Sequence, residues 1–338
     1  MGDRAVPYAW LSLRLRTALI ATMLLACALL AACGGDSNDD EPSAPPEVNL
    51  RDFPAAEGRT LRQLLSKLRE GGPVLAPSVA DLTVGENRYG FGLFDRSRKP
   101  ITDVPAVVYI APVGGGEAIG PIKARFESLA VKPQFQSETS SRDPDSSSHV
   151  YVADIDFPKP GDYDVIGMAK LDNRLVTALP VSGPTVVKKE DPVPRVGDPA
   201  PRIHTPVAAD VGGDLSQIDT RTPPSPMHEV DFADVVGKKP VVLLFATPLL
   251  CQSRVCGPVV DIAEEVMSER DKDADFIHME IFEDNTVDKG YRPQVRDFGL
   301  PSEPWAFTID RNGNVAARLE GAFSARELNA AIDKAVKN

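Results

Sequence analysis

Two cysteines in the C-terminal half of the chain are the residues best suited to chemistry. Cys251 and Cys256 are separated by four residues in a chain of 338 residues that contains four cysteines. On a regular helix, α-carbons five residues apart are about 8.6 Å apart, whereas a disulfide needs less than about 7 Å. Cys251 must therefore lie before the helix, or the first helical turn must unwind when a disulfide forms.

Thiol chemistry assigns the two cysteines different roles. The thiolate is the nucleophile, and a helix N-terminus or a nearby cation lowers the pKa of a cysteine. Cys251 is expected at such an N-terminus, with Arg254 close enough to add positive charge. We therefore predict that Cys251 attacks and that Cys256 resolves the mixed disulfide. A static structural disulfide and a metal site remain the alternatives.

The first 32 residues have the features of an export signal. Arg4, Arg14 and Arg16 precede an uncharged stretch over residues 18–32, which is shorter than the roughly 20 residues that a membrane-spanning helix needs. Residues 30–34, Leu-Ala-Ala-Cys-Gly, resemble a bacterial lipobox, which implies cleavage before Cys33 and a lipid on its thiol. An ordinary secretory signal and an uncleaved anchor are the alternatives.

Charge and compartment follow from that segment. The net charge is −12, and removal of residues 1–32, with three arginines and one aspartate, leaves −14. An acidic surface argues against binding to nucleic acid and against binding to anionic lipid through a polybasic segment. We expect a lipoprotein of the cell envelope, attached to the cell membrane through Cys33 alone and facing the extracytoplasmic side, where thiols tend to be oxidised.

The first part of the mature chain is predicted to be a tether followed by β-strands. Residues 33–58 are acidic and rich in Pro and Ser, which predicts a flexible tether. Residues 59–187 begin with a short helix, for which Thr60 and Gln63 form a capping pair, and continue as short alternating strands. This pattern predicts an all-β sandwich, and residues 160–163 resemble a segment of an immunoglobulin-like β-sandwich.

The sequence changes character after a charged, proline-containing linker at residues 188–195. From residue 196 to residue 338, strands and helices alternate, and they end in a hairpin around Gly313 and a helix capped by Ser324. The expected fold class is therefore two domains, an all-β immunoglobulin-like sandwich followed by an α/β three-layer domain.

Within the predicted sandwich, residues 137–148 are predicted to be a hairpin tip or a flexible loop.

Motifs in residues 196–338 resemble those of the thioredoxin-like (redoxin) superfamily. The chain has a Gly-x-x-Ala-Pro segment that begins at Gly197, an apolar strand before Cys251, and a Glu303-Pro304 step before another apolar strand. The resemblance implies a thioredoxin-like fold. It also implies that Pro304 is a cis-proline lying against the cysteine pair, and that the backbone at Glu303 receives the substrate chain.

The sequence departs from the superfamily patterns at several positions. Thioredoxins have Cys-x-x-Cys and a buried acid where this chain has Leu243, whereas some peroxiredoxins share the Cys-x4-Cys spacing. Peroxiredoxins have Thr and Arg where this chain has Pro248 and Pro304. The resemblance therefore implies a thiol–disulfide oxidoreductase that acts on protein thiols or disulfides outside the cytoplasm. A thiol peroxidase and a non-enzymatic surface binding protein with a structural disulfide remain open.

The remaining signals predict no metal and no cofactor. His278 lies in a predicted central strand and is expected to be a packed core residue. Copper-delivery proteins of the thioredoxin fold pair two cysteines with a distant histidine, so a copper site remains an alternative. His149 and Met168 are too few soft ligands for a copper site in the β-region. The calcium-loop-like run that begins at Asp310 lacks the glycine and the closing glutamate that such a loop requires.

Overall fold

A computed structural model of the chain describes residues 2, 47–66, 72–251 and 253–338. The predicted signal peptide, Cys33 and most of the predicted tether lie outside the described residues. From residue 47 onward, the described residues belong to one compact unit. None of the helices described is both long enough and apolar enough to cross a membrane.

The larger sheet contains nine strands in the described part of the chain. Their bounds are β1 (Val74–Pro77), β2 (Leu82–Thr83), β3 (Gly85–Phe94), β4 (Ala106–Pro112), β5 (Ile119–Ser128), β6 (His149–Phe157), β7 (Gly161–Leu171), β8 (Arg174–Pro180) and β9 (Thr185–Lys188). Seven of them close into a ring in the order β7, β4, β5, β6, β3, β1 and β8, because β8 pairs in turn with β7. The β1–β8 pair is parallel and the other pairs of the ring are antiparallel. Strand β9 pairs with β7, and β2 pairs with β9, outside the ring.

The predicted fold class is therefore wrong. The chain does not form an immunoglobulin-like sandwich followed by an α/β thioredoxin-like domain; it forms a closed, mixed β-barrel with two added strands, and a separate four-stranded sheet. Apolar alternation along a strand is the same in a sandwich and in a barrel, so it cannot distinguish them. The barrel closes because Val74 pairs with Leu179, a contact across about a hundred residues that no local pattern reports.

One wall of the barrel is buried on both faces. Val107, Tyr109 and Ala111 of β4 point outward, yet they are buried by a cluster that includes Phe53 and Leu64 from the segment before the barrel. That segment contains a helix over Leu61–Leu65, which we name α1, and Thr60 and Gln63 form the predicted capping box at its start. Residues at the end of the predicted tether thus cover the barrel.

The smaller sheet and the helices complete the fold. The strands are β10 (Val241–Phe245), β11 (Asp275–Met279), β12 (Trp305–Ile309) and β13 (Val315–Glu320). The helices after α1 are α2 (Glu138–Arg142), α3 (Phe232–Val235), α4 (Cys256–Arg270), α5 (Pro293–Asp297) and α6 (Ala325–Lys337). Short 3-10 helices span Leu50–Asp52, Pro133–Phe135, Ala208–Val211, Leu215–Gln217, Glu283–Asn285 and Val287–Lys289.

The smaller sheet has the order β11, β10, β12, β13, in which only β10 and β11 are parallel among the described strands. Helices α4 and α6 cover one face, where Val259 and Ile332 join a cluster with Leu244. The other face packs against Phe232 of α3 and Val295 of α5. The hairpin between β12 and β13 and the capping box at Ser324 are as predicted from the sequence.

The barrel and the smaller sheet share a packed boundary. Val150 and Val152 of the barrel belong to the same apolar cluster as the residues of α4 and α6. Arg88 of β3 binds Glu327 of α6 at 2.8 Å. In the predicted linker, the side chain of Asp191 is fully buried beside Arg318 of β13. The apolar cluster packs the barrel against α4, the helix that begins at Cys256, and against α6. The ion pairs connect the rest of the chain to α6 and β13.

Candidate functional site

Cys251 lies in the loop between β10 and α4, and Cys256 is the first residue of α4. The helix does not extend back over Arg254, because this residue has a left-handed backbone with a φ of 61° that a helix cannot include. Cys251 therefore lies before the helix, which is the first of the two arrangements that the spacing allows. Both cysteines are buried and have free thiols.

The surroundings of Cys251 stabilise its thiolate. A hydrogen bond from the Cys256 thiol lowers the pKa of Cys251 to about 6, and burial opposes this shift only in part. The Ser253 hydroxyl lies 3.2 Å from the Cys251 sulfur, and the backbone N–H groups of Val255 and Cys256 also donate to it. These N–H groups lie at the start of α4, where the helix dipole favours a negative charge. These contacts favour the thiolate form of Cys251 at neutral pH.

The pKa of the Cys256 thiol is shifted in the opposite direction. Its side chain is completely buried, and this burial raises the pKa of Cys256 well above the ordinary value. The hydrogen bond to Cys251 and the negative charge of Cys251 raise it further. Cys256 therefore keeps its proton while Cys251 is a thiolate.

Arg254 has a different partner from the one expected. Its guanidinium lies 2.9 Å from Asp143 of the barrel, so its charge is neutralised by a carboxylate. The backbone of the same residue accepts a hydrogen bond from the Ser147 N–H at 3.2 Å. Arg254 thus ties the cysteine loop to the barrel, and the low pKa of Cys251 comes from the nearby thiol, hydroxyl and N–H groups.

Glu303 and Pro304 lie beside the cysteines. The Glu303–Pro304 peptide bond is cis, which is the conformation that the resemblance implies. Burial raises the pKa of Glu303 to about 7, and the charge of Cys251 adds to this effect. The charge of Glu303 in turn raises the pKa of Cys256. A carboxyl group that titrates near neutral pH therefore lies beside both thiols.

A surface pocket of about 370 Å³ adjoins this group. It is lined by Leu250, which precedes Cys251, and by Glu303, together with Phe282, Val287, Gly290 and Tyr291. Leu249, at the same loop, is 65% exposed. The pocket therefore has aromatic and aliphatic walls and lies beside the cysteine loop.

The barrel supplies a second wall that sequence analysis missed. The segment predicted as a hairpin tip or loop contains α2, and Ser140 and Asp143 line a narrow cleft that also contains Cys251, Arg254 and Gly257. Ser137 caps α2 through its side chain and donates to Asp261 of α4 at 3.1 Å. A serine placed as an N-cap is the only local signal of this helix. Its docking against α4 has no local signal.

Buried polar residues behind the site were also missed. Among the described residues, one group of side chains could hold a metal ion, and it consists of Asp219, His228 and His278. His278 is buried in β11, as the sequence predicts, but it is not surrounded by apolar groups alone. Asp219 and His228 come from the irregular segment before α3, which has no periodic pattern to mark it.

The predicted site residues thus fall into two sets. Cys251, Cys256, Glu303 and Pro304 come together at one end of the smaller sheet, although the chain separates the two pairs by about fifty residues. Cys33 lies outside the described residues. The roles of all five in catalysis, substrate binding and lipidation stay predictions.

Comparison with solved structures gives a distant likeness. No family model matches the chain, and no curated protein matches it. A crystal structure of a protein assigned as a thiol:disulfide interchange protein DsbE from Chlorobium tepidum is 19% identical to this chain, with a TM-score of 0.30. The match covers 42% of this chain and 99% of that one. A likeness this weak carries no argument about function.

Proposed function

We propose that the protein is a thiol–disulfide oxidoreductase in which Cys251 and Cys256 exchange electrons with protein thiols or disulfides. The observation that carries the proposal is the contrast between the two thiols. Cys251 has a pKa of about 6 and is ionised at neutral pH, whereas burial raises the pKa of Cys256 well above its usual value. A pair of this kind has one thiol ready to attack and one held back to resolve.

The exchange follows from these positions. The Cys251 thiolate attacks one sulfur of a substrate disulfide, the substrate S–S bond breaks, and the departing sulfur takes up a proton. Cys256 then loses its proton and attacks the Cys251 sulfur, which releases the second substrate thiol. The substrate gains two electrons, and the protein is left with a Cys251–Cys256 disulfide. The same steps in reverse oxidise a dithiol.

Glu303 is the group that we assign to proton transfer at Cys256. Its pKa of about 7 allows it to accept and return a proton near neutral pH. The negative charge of Cys251 is the second cause of that raised pKa, after burial. When Cys251 enters a mixed disulfide, its charge disappears and the pKa of Glu303 falls, so Glu303 is ionised at neutral pH and can accept the proton of Cys256 before it passes the proton on.

The compartment is proposed from the sequence. Residues 1–32 and Cys33 resemble a lipoprotein signal and its lipidation site, which favours a chain anchored to the cell membrane on the extracytoplasmic side. Labelling of expressing cells with a radioactive fatty acid tests this proposal. Label should appear on the wild-type protein and be lost in Cys33→Ala, with Cys27→Ala as the matched control. Equal labelling of Cys33→Ala and wild type would exclude anchoring through Cys33.

The activity is tested by a redox titration with thiol trapping. Purified protein is equilibrated with mixtures of oxidised and reduced dithiothreitol, and the peptides that contain Cys251 and Cys256 are analysed by mass spectrometry. The expected result is one reversible two-electron transition and reduction of insulin disulfides, with Cys251→Ser inactive and Cys256→Ser trapped as a mixed disulfide. A disulfide that resists millimolar reductant in the folded protein would favour a structural role instead.

A further inference from the structure

Three side chains behind the cysteine loop converge on one point. The Asp219 carboxylate oxygen Oδ2 lies 3.1 Å from His228 Nε2 and 3.3 Å from His278 Nδ1. All three side chains are almost completely buried. The three ligand atoms lie within 4.8 Å of one another. They therefore form a compact set of two nitrogens and one oxygen out of contact with bulk water.

The spacing of these atoms matches the edges of a metal coordination sphere. Zinc binds nitrogen at about 2.0–2.1 Å and carboxylate oxygen at about 2.0–2.2 Å. Two ligand atoms at a tetrahedral angle on such an ion are about 3.3 Å apart. Both Asp219–histidine distances, 3.1 and 3.3 Å, are close to this value. The two histidine nitrogens lie within 4.8 Å of each other, and binding of one ion would draw them toward the same edge length.

The hydrogen bonds around His278 also fit a ligand. His278 Nε2 donates its proton to the Ala246 carbonyl at 3.0 Å, which leaves Nδ1 as the free coordinating atom. Among the described residues, Nδ1 is buried without a hydrogen-bond partner of good geometry. A metal-ligating histidine almost always donates its other ring nitrogen to a carbonyl or a carboxylate. His278 therefore has the outer contact of a ligand and an unsatisfied atom facing the group.

The charge of the group favours a divalent cation. Asp219 and Glu280 are both buried, and the negative charge of Glu280 acts on both histidines. The Glu280 carboxylate is held by the backbone N–H groups of Thr220 and Ile281. Asp219 and Glu280 place two negative charges beside the two imidazoles, and one doubly charged ion would balance these charges. Buried charges without such balance are costly.

We propose that Asp219, His228 and His278 bind one zinc ion that holds the loop before α3 against the end of β10. Zinc accepts mixed nitrogen and oxygen ligands, and three protein ligands leave its fourth tetrahedral position to a water molecule. Through His278 and Ala246, the ion supports the strand that leads into the cysteine loop. The Thr220 hydroxyl, one residue from Asp219, receives a hydrogen bond from the Leu249 N–H in that loop at 3.1 Å. This site is separate from the cysteine pair and does not depend on the exchange reaction.

The experiment uses the purified full chain, stripped of metal with a chelator and then titrated with zinc chloride. We expect one equivalent of zinc per chain and a rise in Tm of about 5–10 °C when free zinc is a hundredfold above Kd. The Cys251→Ser/Cys256→Ser double variant should bind zinc equally well. His228→Gln and His278→Gln should lose it, whereas His204→Gln, which changes an exposed histidine paired with Asp231, should bind as wild type does.

Cobalt substitution of the wild-type protein gives a result that needs no folded variant. Cobalt bound by nitrogen and oxygen should show visible ligand-field bands without the near-ultraviolet charge-transfer band of a thiolate ligand. A charge-transfer band that disappears in the cysteine double variant would place the metal on the cysteines and overturn the proposal. The absence of both zinc binding and a Tm shift in wild type would overturn it as well.

Discussion

Glu303 and Cys251 face each other across the site, and the ionisation of one opposes that of the other. Burial first, and then the negative charge of Cys251, raise the pKa of Glu303 to about 7. The pKa of Cys251 is lowered to about 6, chiefly by the hydrogen bond from Cys256. At neutral pH, a thiolate therefore lies beside a carboxyl group that is about half protonated. Several measurable consequences come from this pairing and from the contacts around it.

The Cys251→Ser variant should lower the pKa of Glu303, because the thiolate charge is removed and burial alone remains. Carbon-13 NMR of the glutamate carboxyl groups should show the Glu303 midpoint falling below about 7. Glu320, whose pKa is also raised to about 7 by burial, is the internal control and should not move. An unchanged titration midpoint of Glu303 would show that the thiolate charge does not affect the pKa of Glu303.

The raised pKa of Glu303 also affects stability. The folded carboxyl holds its proton up to about pH 7, whereas an unfolded glutamate releases it near pH 4.5. Between these values the folded state binds more protons, so the free energy of unfolding falls as pH rises. Glu303→Gln should reduce the dependence of the unfolding free energy on pH in this range, measured by urea unfolding at pH 4.5, 6 and 7. A variant curve parallel to that of wild type would contradict the assignment.

The reactivity of Cys251 should follow a pKa of about 6. Its alkylation rate, measured by mass spectrometry on the Cys251 peptide, should fall about tenfold per pH unit below pH 6 and level off above pH 7. Cys256→Ala should move the midpoint upward because the main donor is lost, and Cys256→Ser should restore it in part through the serine hydroxyl. A midpoint in Cys256→Ala equal to that of wild type would show that Cys256 does not stabilise the thiolate.

The Asp143–Arg254 ion pair should control access to Cys251. The pair lies at the mouth of the narrow cleft beside the thiol. Asp143→Asn should speed the reaction with a bulky maleimide about 2–5-fold, the factor for an exposed pair worth ~0.5–1 kcal/mol. The reaction with small iodoacetamide should change less. Arg142→Gln removes a neighbouring pair that stays within α2, and it should leave both rates unchanged.

The buried Arg221–Asp261 pair should dominate the stability of the boundary. Asp261 accepts Arg221 Nε at 2.9 Å and the Ser137 hydroxyl at 3.1 Å, and all three side chains are buried. Asp261→Ala should therefore lower the free energy of unfolding by about 3–5 kcal/mol, measured by urea denaturation. Asp333→Ala removes an exposed partner of Arg270 and should cost far less, because water screens that pair. Similar losses in both variants would contradict a dominant role for the buried pair.

Local features of this protein were determined by the sequence alone. The capping boxes at Thr60 and Ser324, the hairpin at Gly313 and the strand before Cys251 all depend on residues within a few positions of each other. Hydrogen-bonding side chains and apolar periodicity act over such distances. The spacing of Cys251 and Cys256 also limited where the helix could start, since a disulfide has a maximum span.

The tertiary structure decided the rest, because it depends on contacts between residues far apart in the chain. Closure of the barrel needs Val74 beside Leu179, and the same alternating pattern would also suit an open sandwich. The raised pKa of Glu303 depends on burial and on the charge of Cys251, and the group around Asp219 needs a histidine from β11. Composition and periodicity record which face of a strand is apolar, whereas burial and electrostatics depend on which distant groups that face meets.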